Sequence, residues 1–307
     1  MITTWAQRRK DRVDELSTGR SLTGEAWRRL RRDPVAITGA VLVGVFVLVA
    51  LFAPFLAPHG SAESFPQLRD TLRPDSIPGP QPGFPLGSDQ NGRDFYSRMI
   101  LASRQTLFVG VFATLIGLAI GLVIGTIAGA FGGWVDTLLM RLTDVLLSVP
   151  SLLLAISVAA LAARPSQTSV IIAVAIVGIP IFARLLRGSM LQQRESDHVI
   201  AATSMGVKRT PIVLRHMLPN AIGPVIVQAT LTLATSILDA AALSFLGLGD
   251  ADPSRAEWGL MLANAQRYLD VRPALAFYPA IAIILVALGF TLLGESLREA
   301  LDPKGRR

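Results

Sequence analysis

Reactive side chains are scarce in this 307-residue chain, and those present are scattered. Its three lysines, Lys10, Lys208 and Lys304, each follow a residue other than glycine, so the phosphate-cradling G-x-x-x-x-G-K-[ST] loop is absent. The three histidines do not share one segment, His59 standing apart from His198 and His216, and no H-E-x-x-H or G-x-S-x-G motif occurs. Without cysteine, disulfides, thiolate metal sites and cysteine nucleophiles are excluded. The expectation is a chain with no catalytic constellation, no metal site and no cofactor of its own. Asp239 stands apart, as the one charge in a long apolar run. An ionisable group at that depth normally faces a cavity or a partner. It reads either as a carboxylate able to meet an ammonium in a passage, or as a structural carboxylate satisfied by neighbouring backbone and hydroxyl groups.

The other chemically distinctive stretch is Asp197 to Pro219, DHVIAATSMGVKRTPIVLRHMLP, a charged interval between apolar runs. It reads as two short helices. Asp197 is placed to cap the first, and Gly206 to close it in the left-handed conformation. Thr210 is placed to cap the second, with Pro211 at its first position, and Pro219 to break the chain before the next apolar run. His198, Ala201, Ala202, Ser204, Met205 and Gly206 form a compact knob. Its alanines and glycine would let a partner approach the backbone closely. The alternative is an ordinary loop lying on the membrane surface.

These residues must be positioned by membrane helices. About half of the composition is hydrophobic, with 17% charged residues. Six apolar stretches approach or exceed the roughly 20 residues that cross a bilayer core. The fold class expected is an all-α integral membrane protein with six transmembrane helices. Residues 1–33 form a polar, arginine-rich tail, including Arg8, Arg9, Arg12, Arg20, Arg28, Arg29, Arg31 and Arg32, with Trp27 and Leu30 at the membrane surface. Span one is 34–57. A proline-rich extracytoplasmic segment, 58–103, follows, with a short amphipathic helix expected on the outer surface over 93–103. The spans thereafter are 104–131, 136–163, 166–187, 220–248 and 273–295. A loop, 188–219, lies between the fourth and fifth spans and a polar segment, 249–272, between the fifth and sixth. A tail, 296–307, ends the chain.

Within this scheme Arg141 and Asp144 are neighbours on the third span, Pro180 kinks the fourth, and Trp134, Trp258 and Tyr268 anchor at interfaces. Gly117, Gly121, Gly125 and Gly129 recur every fourth residue and line one face of the second span. In lipid such a groove lets a neighbouring helix pack backbone to backbone.

The formal charge of +7 is carried almost wholly by arginine. With the N-terminus inside, the inner segments hold 20 of the lysines and arginines and the outer segments 9. Inner loops carry the excess in membrane proteins. Both termini and the Asp197–Pro219 loop are therefore expected in the cytoplasm, and the basic charge is assigned to lipid rather than to nucleic acid.

Several motifs then carry a family resemblance. Ala201-Ala202-x-x-x-Gly206, followed by Leu218-Pro219, resembles the cytoplasmic E-A-A loop of ATP-binding-cassette importer permeases, with Ile200 in place of the glutamate and His216 in place of an isoleucine. Arg215 to Asn220 is similar to the R-H-x-L-P-N form of the dipeptide and oligopeptide permeases. Pro85-Leu86-Gly87-Ser88-Asp89 with Gly92-Arg93-Asp94 resembles that group's P-L-G-T-D…G-R-D. Gly132 to Asp136, Met140-Arg141, Asp144, Leu243 to Gly249, Trp258-Gly259 and Leu301-Asp302-Pro303 continue the likeness in order along the chain.

The resemblance implies a type I importer permease of the C type, with residues 104–296 as its core. It implies pairing with a homologous B-type permease, two cytoplasmic ATPase subunits that bind ATP and Mg, and an extracytoplasmic binding protein. It also implies that His198–Gly206 is a coupling helix seated in an ATPase, that Asp239 sits where the group carries an acidic residue, and that the location is a bacterial inner membrane. Cargo is expected to be a dipeptide or oligopeptide. The same architecture importing nickel chelate or glutathione is the alternative, and a secondary transporter is the rival from another class.

Overall fold

The computed structural model describes residues 22–301 apart from 74, 251 and 253. The arginines between Arg8 and Arg20, and the Asp302-Pro303 motif, lie outside the described residues. The described residues form helices joined by irregular segments. An amphipathic α1 (Leu22–Leu30) precedes α2 (Pro34–Leu56). Asp33 caps α2, accepting from the Val35 and Ala36 amides at 3.0 and 3.2 Å, while Pro34 occupies the first turn, where an amide is not needed. A single turn, α3 (Pro66–Arg69), interrupts the segment that leads to α4 (Phe95–Phe131).

α4 has 37 residues and is thus about 55 Å long, well beyond a bilayer core of about 30 Å. The separate amphipathic helix expected over 93–103 is instead the first turns of this one helix. Asp94 caps it, taking the Tyr96 and Ser97 amides at 3.1 and 3.2 Å.

The third span departs most from expectation. α5 (Gly133–Ser148) and α6 (Ser151–Ala160) meet at 94°, where a single span was expected over 136–163. Pro150 lacks the amide that would continue α5, and Val149 before it is extended, as residues preceding proline prefer. Next come α7 (Gln167–Arg194) and α8 (Asp197–Ser204). A run of short turns leads to α9 (Gly223–Phe245), and α10 (Trp258–Ala265) and α11 (Ala274–Leu301) complete the chain. Five helices (α2, α4, α7, α9 and α11) are long and apolar enough to cross a membrane, and the bent α5–α6 pair makes a sixth if it is one span.

Packing centres on α4 against α7. A Cβ on Gly117 would lie 2.8 Å from the Ala175 carbonyl oxygen, one on Gly121 2.6 Å from the Phe182 Cβ, one on Gly125 2.7 Å from the Ala183 carbonyl oxygen, and one on Gly129 2.8 Å from the Met190 Cβ. The four-residue stripe is thus the seam with α7, along which only glycine fits. α7 is correspondingly the most enclosed span, whereas α2 turns Val41, Leu48, Leu51 and Phe55 outward, as a lipid-facing helix does. α11 crosses α2 where a Cβ on Gly39 would lie 3.0 Å from the Gly289 carbonyl oxygen and one on Gly289 3.0 Å from the Leu42 Cβ.

The two irregular segments are tied to the start of α4. Arg98 is buried. It ion-pairs with Asp89 at 3.4 Å and donates to the carbonyls of Ser61 and Arg255. Asp89 also takes the Arg93 guanidinium at 2.7 Å and the amides of Asn91 and Arg93. The carboxylate of Asp94 accepts from Ser97 and lies 3.0 Å from Nδ1 of His59, whose ring stacks on Phe84. Gly87 and Gly92, at φ +74° and +71°, make the tight turns that this clasp requires. Trp258, expected at an interface, is instead a core residue, 1% exposed, whose indole donates to the Met99 carbonyl at 3.1 Å. Gly259 beside it touches the Ala241 backbone, which is how α10 seats against α9.

Candidate coupling loop and passage

Between α7 and α9 the chain makes a small projecting unit. α7 runs on to Arg194, well past the expected end at 187, so the unit stands off the last turns of that helix. α8 begins at Asp197, but its capping position is Ser196, and no side chain caps it. The Asp197 carboxylate is in the first turn, where it still complements the positive end of the helix dipole.

The C-terminus of α8 behaves as read. Gly206 has φ +78°, the Val207 amide donates to the Ala202 carbonyl at 3.1 Å, and the Gly206 amide donates to Thr203 at 3.0 Å. This is a Schellman closure, which demands glycine at the left-handed position. Past it, Thr210 caps nothing. The helical turn Arg209–Pro211 starts after Lys208, with Pro211 at its third position. Nor does Pro219 break the chain. A π-helical segment, Ile212–Met217, precedes a helical turn, Leu218–Ala221, that includes the proline. The wider turn shifts the hydrogen-bond ladder just where proline has no amide to give, so helix continues through it.

α8 has two faces. Val199 and Ala202 turn inward to Ile212, Val213 and Met217. His198, Ala201, Ser204, Met205 and Gly206 turn outward, with Met205 76% exposed and nothing within 4 Å of a Cβ built on Gly206. Ala202, expected on the partner-facing surface, is instead 5% exposed, and its small size lets α8 lie close on the turns beneath. Pro219 is exposed but belongs to the next turn. His198 leans back toward Asn220, with Nε2 to Nδ2 at 3.4 Å, and Asn220 donates to the His216 carbonyl at 2.7 Å. The knob is therefore braced on the turn that starts α9.

Beneath the loop, Arg187 of α7 grips Asp136 of α5, and Arg184 pairs with Asp144. Arg141 and Asp144 are neighbours on α5, but Asp144 takes this inter-helix partner and Arg141 is exposed. Pairs 51 and 40 residues apart carry no local periodicity, so the sequence offered only opposite charges at the ends of two apolar runs.

Asp239 sits half-buried on α9. Among the described residues, no hydrogen bond or ion pair reaches its carboxylate. At the α5–α6 bend an apolar groove of about 370 Å³ opens, lined by Leu147, Val149, Pro150, Leu154, Val177 and Ile181. No group of three or more histidine, aspartate or glutamate side chains gathers among the described residues.

Known proteins are similar to this chain. The family described as binding-protein-dependent transport system inner membrane component matches residues 121–307, and the N-terminal TM domain of oligopeptide transport permease C matches residues 21–74. The dipeptide transport system permease protein DppC of Alkalihalophilus pseudofirmus is 41% identical over 280 residues, 91% of this chain and 89% of that one. The glutathione transport system permease protein GsiD of Shigella flexneri serotype 5b is 46% identical, over 91% and 90%. In fold, an inward-facing MetNI methionine ABC transporter chain aligns at a TM-score of 0.53 and 16% identity, covering 67% of this chain and 96% of that one. The chain therefore belongs to the inner-membrane components of binding-protein-dependent transport systems, as a multi-pass, all-α permease of the ABC importer type.

Proposed function

We propose that this chain is the C-type permease subunit of an ATP-driven importer of dipeptides or oligopeptides. It would form half of the passage beside a homologous B-type permease. Two ATPase subunits would bind ATP and Mg on the cytoplasmic side, and an extracytoplasmic binding protein would deliver the cargo. The observation that carries this reading is the exposed outer face of α8, closed by Gly206 and braced at Asn220, within a chain of this family. The excess of arginine and lysine in the same segments supports placing that face and both termini in the cytoplasm.

In this mechanism the chain performs no chemistry. ATP binding draws the ATPases together, and each pulls on a coupling helix. Because α8 rests on the last turns of α7 and on the start of α9, its displacement is passed to both spans. The permease pair then rocks between inward-open and outward-open packings. Asp239, unpaired among the described residues, supplies a carboxylate able to meet the ammonium of a peptide, and the α5–α6 groove an apolar seat.

Glutathione is the second cargo to consider, because the Shigella relative is called a glutathione permease and is 46% identical. The test is uptake by the reconstituted system. Labelled dipeptide, oligopeptide and glutathione are each offered with the cognate binding protein, for wild type and for Met205→Arg. The expected result is peptide uptake that Met205→Arg abolishes while the permease stays folded. Uptake of glutathione alone would reassign the cargo, and full ATPase stimulation by Met205→Arg would remove α8 from the coupling role.

A further inference from the structure

We infer that the cleft beneath the coupling loop binds an anionic phospholipid. Where α8, the Ile212–Met217 turn and the end of α4 converge, a cleft of about 290 Å³ opens. Its floor is apolar, with Ala130, Val199, Val213 and Met217, and its rim carries two guanidinium groups, Arg194 and Arg209. Arg209 is held in place. It donates to the carbonyls of Ala130 and Phe131, the last of α4, and lies 5.4 Å over the Phe131 ring. Arg194, the last residue of α7, is exposed and has no partner among the described residues. Glu195 and Asp197 lie close to it in the chain, yet among the described residues neither carboxylate pairs with either arginine.

The chemistry that fits is a phosphate diester carrying apolar chains. Two guanidiniums suit a phosphate, since arginine presents a fork of donors matched to its oxygens. An apolar floor suits acyl methylenes and does not suit a free anion. The level is also right. Phe131 is 60% exposed and Trp134 77% exposed at the same end of α4, the exposed aromatic pattern of a membrane–water boundary. Basic pockets between membrane helices hold acidic head groups in this manner. The occupant is thus an acidic glycerophospholipid of the leaflet on that side. Because the cleft is walled by the inward face of α8, the lipid would support the coupling helix from below.

The test uses the full chain with the subunits that accompany it, in nanodiscs of phosphatidylcholine with or without phosphatidylglycerol, followed by native mass spectrometry and thermal melting. Wild type is expected to retain phosphatidylglycerol selectively and to melt several degrees higher in its presence. Arg194→Gln is expected to lower that selectivity about tenfold, and Arg194→Lys to keep most of it. Arg298→Gln, which alters another exposed arginine, serves as the control and is expected to match wild type. Equal retention of both lipids, or unchanged selectivity in Arg194→Gln, overturns the proposal. So does the same melting shift from inorganic phosphate in phosphatidylcholine alone, which would make the site one for a soluble anion. These readouts do not depend on the cargo or on transport.

Discussion

Arg187 closes a two-pronged ion pair on Asp136, with Nε to Oδ1 at 3.0 Å and a terminal nitrogen to Oδ2 at 2.6 Å. The pair joins α7 to the first turn of α5, immediately after the Gly132-Gly133 turn that follows α4. Three helices are therefore registered at one point, on the side where the loop carrying α8 emerges. A planar guanidinium meeting both carboxylate oxygens is more directional than a single contact. Asp136→Asn, Arg187→Gln and the double variant, melted in detergent, are expected to show a coupling energy on the order of 1 kcal/mol. Additive losses would show that the pair does not hold the helices.

The seam of α4 with α7 predicts a sharp contrast between glycines. Gly121→Val or Gly125→Val forces the Phe182 or Leu186 Cβ, or the Ala183 carbonyl, to move. A loss of about 1–3 kcal/mol is expected, from overpacking a close helix contact. Gly44→Ala, on α2 with nothing within 4 Å of its Cβ, is expected to be neutral. The readout is the melting midpoint of the purified protein.

On α8, neighbouring positions are expected to fail differently. Ala202→Trp, at a buried site, should unfold the loop and reduce yield. Ser204→Trp, at an exposed one, should leave the melting curve intact while abolishing stimulation of the ATPase. Equal loss of stability in both variants would contradict the two-faced helix.

Because the chain has no cysteine, orientation can be read from single substitutions. Met205→Cys is expected to react with an impermeant maleimide only in inside-out vesicles, and Ala62→Cys only in right-side-out ones. Labelling of position 205 from the outside would reverse the topology.

Glu257, in the segment between α9 and α10, gives a pH dependence. Burial pushes its carboxyl up to about 7 from an ordinary 4.5, although the Ser244 hydroxyl, donating at 2.7 Å, opposes the shift. The folded state thus holds this proton more tightly than the unfolded chain does. The contribution to stability is complete below pH 4.5 and is lost as pH rises through about 7. Glu257→Gln is expected to flatten the melting-temperature profile over that interval. An unchanged profile would assign the dependence to other groups.

Much of this was legible in the sequence because bilayer physics writes it there. Long apolar runs, a glycine at every fourth residue and a glycine stop after Ser204 are local patterns with local causes. What escaped was non-local. Nothing near Trp258 says that its indole will reach Met99, nor does the spacing of Arg93 and Arg98 reveal Asp89 as a shared counter-ion. Pro150 and Pro219 are the same residue type with opposite outcomes. One ends a helix at a right angle, while the other is absorbed by a π turn. The difference lies in whether the preceding ladder can shift register, which composition alone does not encode.

The glycine seam has a dynamic consequence. Phe182, Leu186 and Met190 sit in successive notches of α4, so the two helices mesh like teeth on a rack. Gliding along one another by small steps is then disfavoured, and a whole-turn jump would need every tooth to disengage at once. The alternation proposed above would then be hinged elsewhere, at the right-angled joint before Ser151 or where α9 meets its neighbours, with α4 and α7 travelling as a single beam.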